Sequence, residues 1–365
     1  MTAADAFTYQ ALPMRVLFGC GRMAELASEA DGLGLHRLLV LSTPGQVELA
    51  HRVADVLGSR TVGMYSQARM HVPVDTVIAA TDCAKSLGAD GCVAVGGGST
   101  IGLAKALARK ADLPAIAIPT TYSGSEMTTI WGITEDGRKQ TGRNSAVLPR
   151  SVIYDPELTV GLPVSVSGAS GINAIAHAVE ALYAPDSSPL TNVFAEQGVR
   201  CLASALPAIA ADPTDRAARS QALQGAWLCG ACLGATTMSL HHKICHVLGG
   251  TFDLPHAPTH AVMLSHVAAF NLPAAPAAHE ALCRALQCDD PVGALTELAD
   301  ATGVARSLDA LGAAGMDFGP IIEQVLATPY ANPRPVTRDD LEALLTGARN
   351  GTQSPTRPTM SNAKR

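Results

Sequence analysis

Through the first half of the chain, short apolar runs of strand length alternate with segments whose apolar residues recur at helical spacing. Residues 38–42, 61–65, 92–95, 115–118 and 152–154 are near-continuous apolar runs, whereas 46–58, 74–87 and 99–110 have a helical pattern. Strands buried on both faces and separated by helices form a mostly parallel α/β sheet, which takes ligands at the carboxyl ends of its strands. After Asp155-Pro156 the pattern changes. From about residue 170 to 345 the chain shows helical periodicity, Ala-rich stretches and Pro/Gly breaks, with no convincing strand. The predicted organisation is an α/β dinucleotide-binding domain over 1–162 and an all-α catalytic domain over 163–350. A Ser/Thr/Pro/Asn-rich tail, 351–365, is expected to be disordered.

Composition narrows the class. At 365 residues the chain can bury a large core, and charged residues make up only 16%, which excludes a disordered or coiled-coil chain. The net charge of −6, without a run of Lys or Arg, argues against a nucleic-acid partner. Nine cysteines, an odd number in a large chain, are no disulfide framework and fit a reducing, cytoplasmic setting. Cys229-x-x-Cys232 lies in an apolar helical run and reads as packing. Neither a signal-like N-terminus nor an apolar run of membrane-span length is present, so no membrane partner is expected.

Two loops carry the first candidate chemistry. Gly96-Gly97-Gly98-Ser99-Thr100 follows one strand and opens a helix. Glycines let the backbone approach a phosphate, the helix start offers free N–H groups, and Ser99 can cap the helix or donate to the ligand. It is neither the spaced dinucleotide fingerprint nor a Walker loop. The next strand leads into Pro119-Thr-Thr-Tyr-Ser-Gly-Ser-Glu126. Hydroxyl-rich loops on consecutive strand ends suit a dinucleotide, and Gly97, Gly98, Ser99, Thr120, Thr121, Ser123 and Ser125 are its expected contacts. Where a carboxylate often binds the adenosine ribose, the first strand ends in Ser42-Thr43-Pro44. With Thr43 there, neither a 2′-hydroxyl nor a 2′-phosphate is repelled.

The second half concentrates histidine. Asn173, His177 and Glu180 share one face of a predicted helix opposite an Ile172/Ile175/Val179/Leu182 stripe. His242 and His246 stand one turn apart, and His256 follows within fifteen residues, with His260 and His266 beyond. Imidazole suits both proton transfer near neutral pH and metal ligation. His177, His242 and His256 could ligate an ion, but Asn173 offers a neutral amide where a divalent cation would favour a carboxylate. A site working by histidine acid chemistry without a metal is therefore expected.

Asn173-x-x-x-His177, His242-x-x-x-His246 and His256, with Gly96–Ser99 and residues 118–128, resemble the iron-type (group III) alcohol dehydrogenases over nearly the whole chain to Gly351. Asn173 departs from that family's Asp. The resemblance implies the dehydroquinate synthase-like architecture of a nucleotide domain followed by a helical domain, and a homodimer. Segments 147–158, 170–183, 241–256 and 332–336 look most like a subgroup reducing the carbon–carbon double bond of a small unsaturated oxo-dicarboxylate with NADH or NADPH. A metal-dependent NAD(P) alcohol dehydrogenase is the alternative. For the reductase, His246 and His256 are first choices for meeting an enolate and its proton, with His242, His177 and Asn173 lining the same wall. Lys139, Arg143 and Lys243 are the candidate partners of the substrate carboxylates, while Arg138 and Arg150 read as surface charges. Mutual repulsion within the cluster should keep some of the histidines neutral.

Overall fold

The computed structural model describes residues 7–136 and 138–352, with residues 138 and 139 described by their backbone alone. The expected tail lies almost wholly outside the described residues. A six-stranded, all-parallel sheet is followed by a helical domain, as the sequence pattern predicts. In chain order the first domain holds β1 (Arg15–Phe18), α1 (Leu26–Gly32), β2 (Leu38–Leu41), α2 (Val47–Leu57), β3 (Thr61–Tyr65), α3 (Val74–Ser86), β4 (Gly91–Gly96), α4 (Gly98–Ala111) and β5 (Ala115–Pro119). A β6–β7 hairpin (Ile130–Glu135, Arg138–Arg143) and β8 (Ser151–Tyr154) complete it. Periodicity did not mark β1 or the hairpin. β1, Arg-Val-Leu-Phe, is a partly exposed edge strand that opens on a charge, and β7 reads Arg-Lys-Gln-Thr-Gly-Arg, whose polarity hides a strand.

Strand alternation divides the core. Leu38, Val40, Val93, Val95, Ile116 and Ile118 point to the face covered by Leu26, Ala30, Ala50, Val53 and Leu57 of α1 and α2. Leu39, Leu41, Cys92, Ala94 and Ala115 face α3 and α4. Farther along that second face, Ala117, Val152 and Tyr154 pack against the helical domain. Successive side chains on opposite faces thus seat nucleotide-domain helices and the second domain on a single sheet.

The strand order β1-β8-β5-β4-β2-β3 places β3 and β4 on opposite sides of β2. The chain therefore reverses direction across the sheet between β2 and β4, and a crevice opens at their carboxyl ends. Thr43 and Gln46 line one side, and Gly96 to Gly98 the other.

The helical domain comprises α5 (Val164–Leu182), α6 (Pro189–Ala211), α7 (Arg216–Ala235), α8 (Leu240–Phe252), α9 (His256–Asn271), α10 (Pro276–Leu286), α11 (Pro291–Ala301), α12 (Gly319–Leu326) and α13 (Arg338–Asn350). α5 is its axis, with Ser167 to Ala181 all buried. Arg219 of α7 is fully buried and donates to the carbonyls of Pro213 and Leu162, to Ser167 Oγ at 2.7 Å and to Tyr122 Oη at 3.3 Å. It thereby ties the nucleotide loop, the interdomain connection and α5 to one guanidinium. All nine cysteines are free, and burial raises the thiol pKa of both Cys229 and Cys232, the latter to about 12. That is the inert, packed state expected for this pair. Among the described residues, no helix is long and apolar enough to cross a membrane.

Candidate active site

The crevice has the shape of a phosphate cradle. α4 begins at Gly98 with Gly97 as its cap residue, so Ser99 lies inside the first turn and is not the N-cap. Glycine meets the steric demand better there. Gly96 has φ +150°, and a Cβ on it would come within 2.5 Å of Thr100 Oγ1 and 2.7 Å of Gln46 Oε1. Across the crevice Gln46 donates to Thr120 Oγ1 at 2.8 Å, and Thr43 Oγ1 lies 3.4 Å from Gln46 Oε1. Thr121 packs against Gly97, where a Cβ would meet its Cγ2 at 2.9 Å. The hydroxyls of Thr100 and Ser123 are buried without a protein partner, as expected of groups that face a polar ligand.

Lys105 holds the second loop from below, donating to the Ser125 carbonyl, to Thr128 Oγ1 at 2.7 Å and to the Ile130 carbonyl at 2.8 Å. Burial pushes its pKa down to about 7, against the pull of Glu126. Glu126 accepts a 2.7 Å hydrogen bond from the Tyr154 hydroxyl, and burial raises its carboxyl.

The loop then reaches the helical domain. Gly124, at φ +74°, sits so close to α7 that a Cβ would lie 2.9 Å from Gly230 Cα and 3.4 Å from His177 Nδ1. Only glycine combines that backbone conformation with that approach. Gly124→Ala should therefore cost roughly 2–3 kcal/mol, from left-handed strain plus a backbone collision. A urea-unfolding midpoint equal to that of the parent chain would refute this.

His177 belongs to a continuous group of rings. His177 and His242 have centroids 5.1 Å apart, His242 and His246 6.0 Å, and His246 and His256 5.9 Å in a stacked pair. His260 sits in the middle, 4.2 Å from His256, 4.9 Å from both His241 and His242, and 6.0 Å from His246. The sequence reading gave His260 no task, although its i+4 relation to His256 repeats that of His242 and His246.

Glu180 is the other residue without an assigned role. Its fully buried carboxylate accepts from the backbone N–H groups of Ser239 (2.8 Å) and His241 (2.7 Å) and lies 2.7 Å from His242 Nδ1. It thus caps α8 in place of the Ser239 side chain, which makes no cap hydrogen bond. Burial pushes its pKa up, but the His242 charge and hydrogen bond, His241 and the Ser239 N–H outweigh burial and hold the carboxyl below its usual range.

Burial, more than repulsion, keeps part of the cluster neutral. His177 and His260 are lowered well below the ordinary imidazole value, by desolvation first and then by their neighbours. His241 and His266 are pushed down to about 4, again chiefly by burial. The unfolded chain thus binds more protons than the folded one between about pH 4 and 6.5, so stability is full above 6.5 and falls as pH drops. For a histidine shifted from 6.5 to 4 the loss by pH 5 is about 2 kcal/mol. The lowered Glu180 adds a loss at lower pH, and the raised Glu126 acts in the opposite direction. Urea midpoints of chelator-treated protein should fall clearly from pH 7 to pH 5; equal midpoints would mean that these rings are not buried in solution.

The remaining predicted residues are dispersed. Asn173 is buried on α5 with its Oδ1 unpartnered. Arg143 donates to the carbonyls of Gly234 (3.0 Å), Thr236 (2.7 Å) and Leu233 (3.5 Å), which ties the β6–β7 hairpin to the end of α7. Lys243 donates to Thr328 Oγ1 at 2.6 Å. Lys139 pairs with Thr134 in the hairpin, and its side chain lies outside the described residues.

A glycine-lined crevice at the strand ends of a parallel sheet faces a histidine-rich helical domain. The chain belongs to the iron-containing alcohol dehydrogenase family. Residues 13–156 match the family described as iron-containing alcohol dehydrogenase, and residues 167–349 match the C-terminal part of the Fe-containing alcohol dehydrogenase family. It is 52% identical over 345 residues to a maleylacetate reductase of Sphingobium indicum, covering 94% of this chain and 98% of the relative. A maleylacetate reductase of Burkholderia cepacia is 50% identical over 347 residues, 95% of this chain and 99% of that one. The crystal structure of maleylacetate reductase from Agrobacterium tumefaciens superimposes with a TM-score of 0.91 at 47% identity, over 96% of this chain and 99% of the other.

The family's description implies iron, and the donors here do not fit the iron site that the resemblance outlines. An amide, Asn173, occupies the carboxylate position. Among the described residues, three trios of ligand atoms lie within 4.8 Å of one another: His241–Cys245–His260, His246–His256–His260 and Glu180–His241–His242. His177, His242 and His256 do not form such a trio.

Proposed function

We propose that the chain reduces the carbon–carbon double bond of maleylacetate with NADH or NADPH, giving 3-oxoadipate. The observation that carries this reading is the meeting of the two halves at Gly124 and His177, which joins the nucleotide loop to the histidine cluster. Identity of about half to maleylacetate reductases over nearly the whole chain supports the choice of substrate.

The Gly96–Gly98 turn and the α4 start would hold the cofactor phosphates, with Thr43, Gln46, Thr120, Thr121 and Ser123 around them. The bound nicotinamide supplies a hydride. Addition at the carbon β to the ketone leaves an enolate, and a proton then enters the α carbon. One oxidised cofactor and one saturated oxo-dicarboxylate result, at the expense of one proton. His246 and His256, on the more open side of the cluster, donate to the enolate oxygen and deliver the proton. His242 is held by Glu180, and His177 and Asn173 line the wall behind. Lys243 and Lys139 are assigned to the substrate carboxylates. Arg143, whose guanidinium is occupied by three carbonyls, positions the hairpin.

Loss of NADH or NADPH absorbance with maleylacetate, compared with a short alcohol or aldehyde, tests the reading. Rapid turnover of the simple substrate alone would replace it with an alcohol dehydrogenase.

A further inference from the structure

We propose that Lys105 is a positioning residue of the nucleotide site: without touching the cofactor, it locks the 119–130 loop to α4, and this lock sets the affinity for NADH or NADPH. The proposal rests on the reading of the crevice as the cofactor site.

α4 does two jobs. Its first residues form the glycine cradle, and Lys105, two turns further on, sends its amino group under the neighbouring loop. Lys105 is 1% exposed, and Ile101, Leu103, Ala104, Ala106 and Leu107 around it on the helix are buried apolar side chains. A lysine in that setting gives up the hydration of its ammonium, a loss an apolar residue of similar volume would avoid, so its acceptors must offset the desolvation. Three oxygens do so: the Ser125 carbonyl, Thr128 Oγ1 at 2.7 Å and the Ile130 carbonyl at 2.8 Å, one for each N–H donor. None of them is a carboxylate. Glu126, whose charge acts on Lys105, takes its hydrogen bond from Tyr154 instead. The lysine therefore grips a loop and is not half of an ion pair.

The grip falls where the loop turns. Residues 125–127 form a single helical turn, in which the Ser125 carbonyl also accepts from the Thr128 N–H (3.2 Å) and hydroxyl (3.0 Å). The Thr128 hydroxyl in turn accepts from the Ile130 N–H at 3.2 Å. Just upstream lie Gly124, against α7, and then Ser123, Thr121 and Thr120 at the crevice. A tether at residue 125 limits the excursions of those hydroxyls, so less ordering is left to be done when the cofactor binds. The histidines are carried by α5, α8 and α9 and do not depend on the tether.

Lys105→Met keeps the side-chain volume and removes the donors, while Thr128→Val removes one acceptor and leaves the ammonium in place. Fluorescence titration of the full chain with NADH gives Kd, and steady-state kinetics with maleylacetate give each KM and kcat at saturating NADH. In Lys105→Met, Kd and KM for NADH should rise about tenfold or more, the scale of losing charged hydrogen bonds that order a loop. In Thr128→Val the rise should be about two- to fivefold, and in both variants kcat and the KM for maleylacetate should stay within about threefold, the mark of lost binding alone. A merely structural lysine would lower the urea midpoint and the folded fraction, and with it the apparent kcat, at an unaltered Kd for NADH. That pattern, or a parent-like Kd in folded Lys105→Met, would overturn the proposal. Should Lys105→Met not fold, an unchanged Kd in Thr128→Val overturns it equally. A parent chain that binds no NADH would overturn the reading of the crevice and this proposal with it, whereas NADH binding in the parent with unaffected variants refutes the lysine alone.

Discussion

His246→Ala should lower turnover with maleylacetate by about 10²–10⁴-fold, the usual contribution of a placed general acid, while cofactor affinity changes only a few-fold. The expectation follows from position. His246 is exposed on α8 and stacks on His256 at 5.9 Å, at the edge of a cluster in which burial lowers the pKa of His177, His241 and His260. Truncating an exposed ring leaves the packing of Leu240, Ile244 and Leu248 on the other face of the helix intact, so lost activity is not lost folding. His256→Ala should behave similarly. The informative measurements are turnover and KM for each substrate, together with the pH profile. Removing a proton donor should flatten the limb on which turnover falls as pH rises, whereas removing a spacer should not. Undiminished turnover in both variants would sink the assignment.

Glu180→Ala should destabilise the fold by about 3–5 kcal/mol, the usual cost of breaking a buried charged pair. Three N–H donors converge on this carboxylate: two backbone amides at the start of α8 and His242 Nδ1. None is exposed, so deleting the acceptor leaves all three unsatisfied. Glu180→Gln should recover little, because the amide NH₂ must face at least one of those donors. The His242 ring would also lose its orientation, so residual folded protein should turn over slowly. Urea unfolding of the three chains measures the effect. A loss below about 1 kcal/mol in Glu180→Ala would mean that water replaces the carboxylate.

The inner strands β2, β4, β5 and β8 were legible because they are buried on both faces and read as near-continuous apolar runs. The cradle was legible because its glycines sit between such a run and a helix. The polar β6–β7 hairpin was not, since it packs its few apolar residues, Ile133 among them, against α3 and α4 and needs no apolar alternation. The histidines announced themselves by density, yet their order of importance did not. His260 and Glu180 act through what surrounds them, and a one-dimensional spacing gives the face of a helix without the neighbour it meets. For the same reason Arg143, a free cation by sequence, is a clamp on the end of α7 in the folded chain.

Arg219 has a bearing on how the two domains could be separated. A guanidinium spread over oxygens from the nucleotide loop, the 156–163 connection and α5 fastens the one stretch of backbone a protease would need to extract. The connection is thus a sealed seam, not a cuttable tether. Limited digestion should leave the two domains joined until the chain unfolds globally, and amide exchange around residues 160–170 should follow the same slow opening as the core of α5.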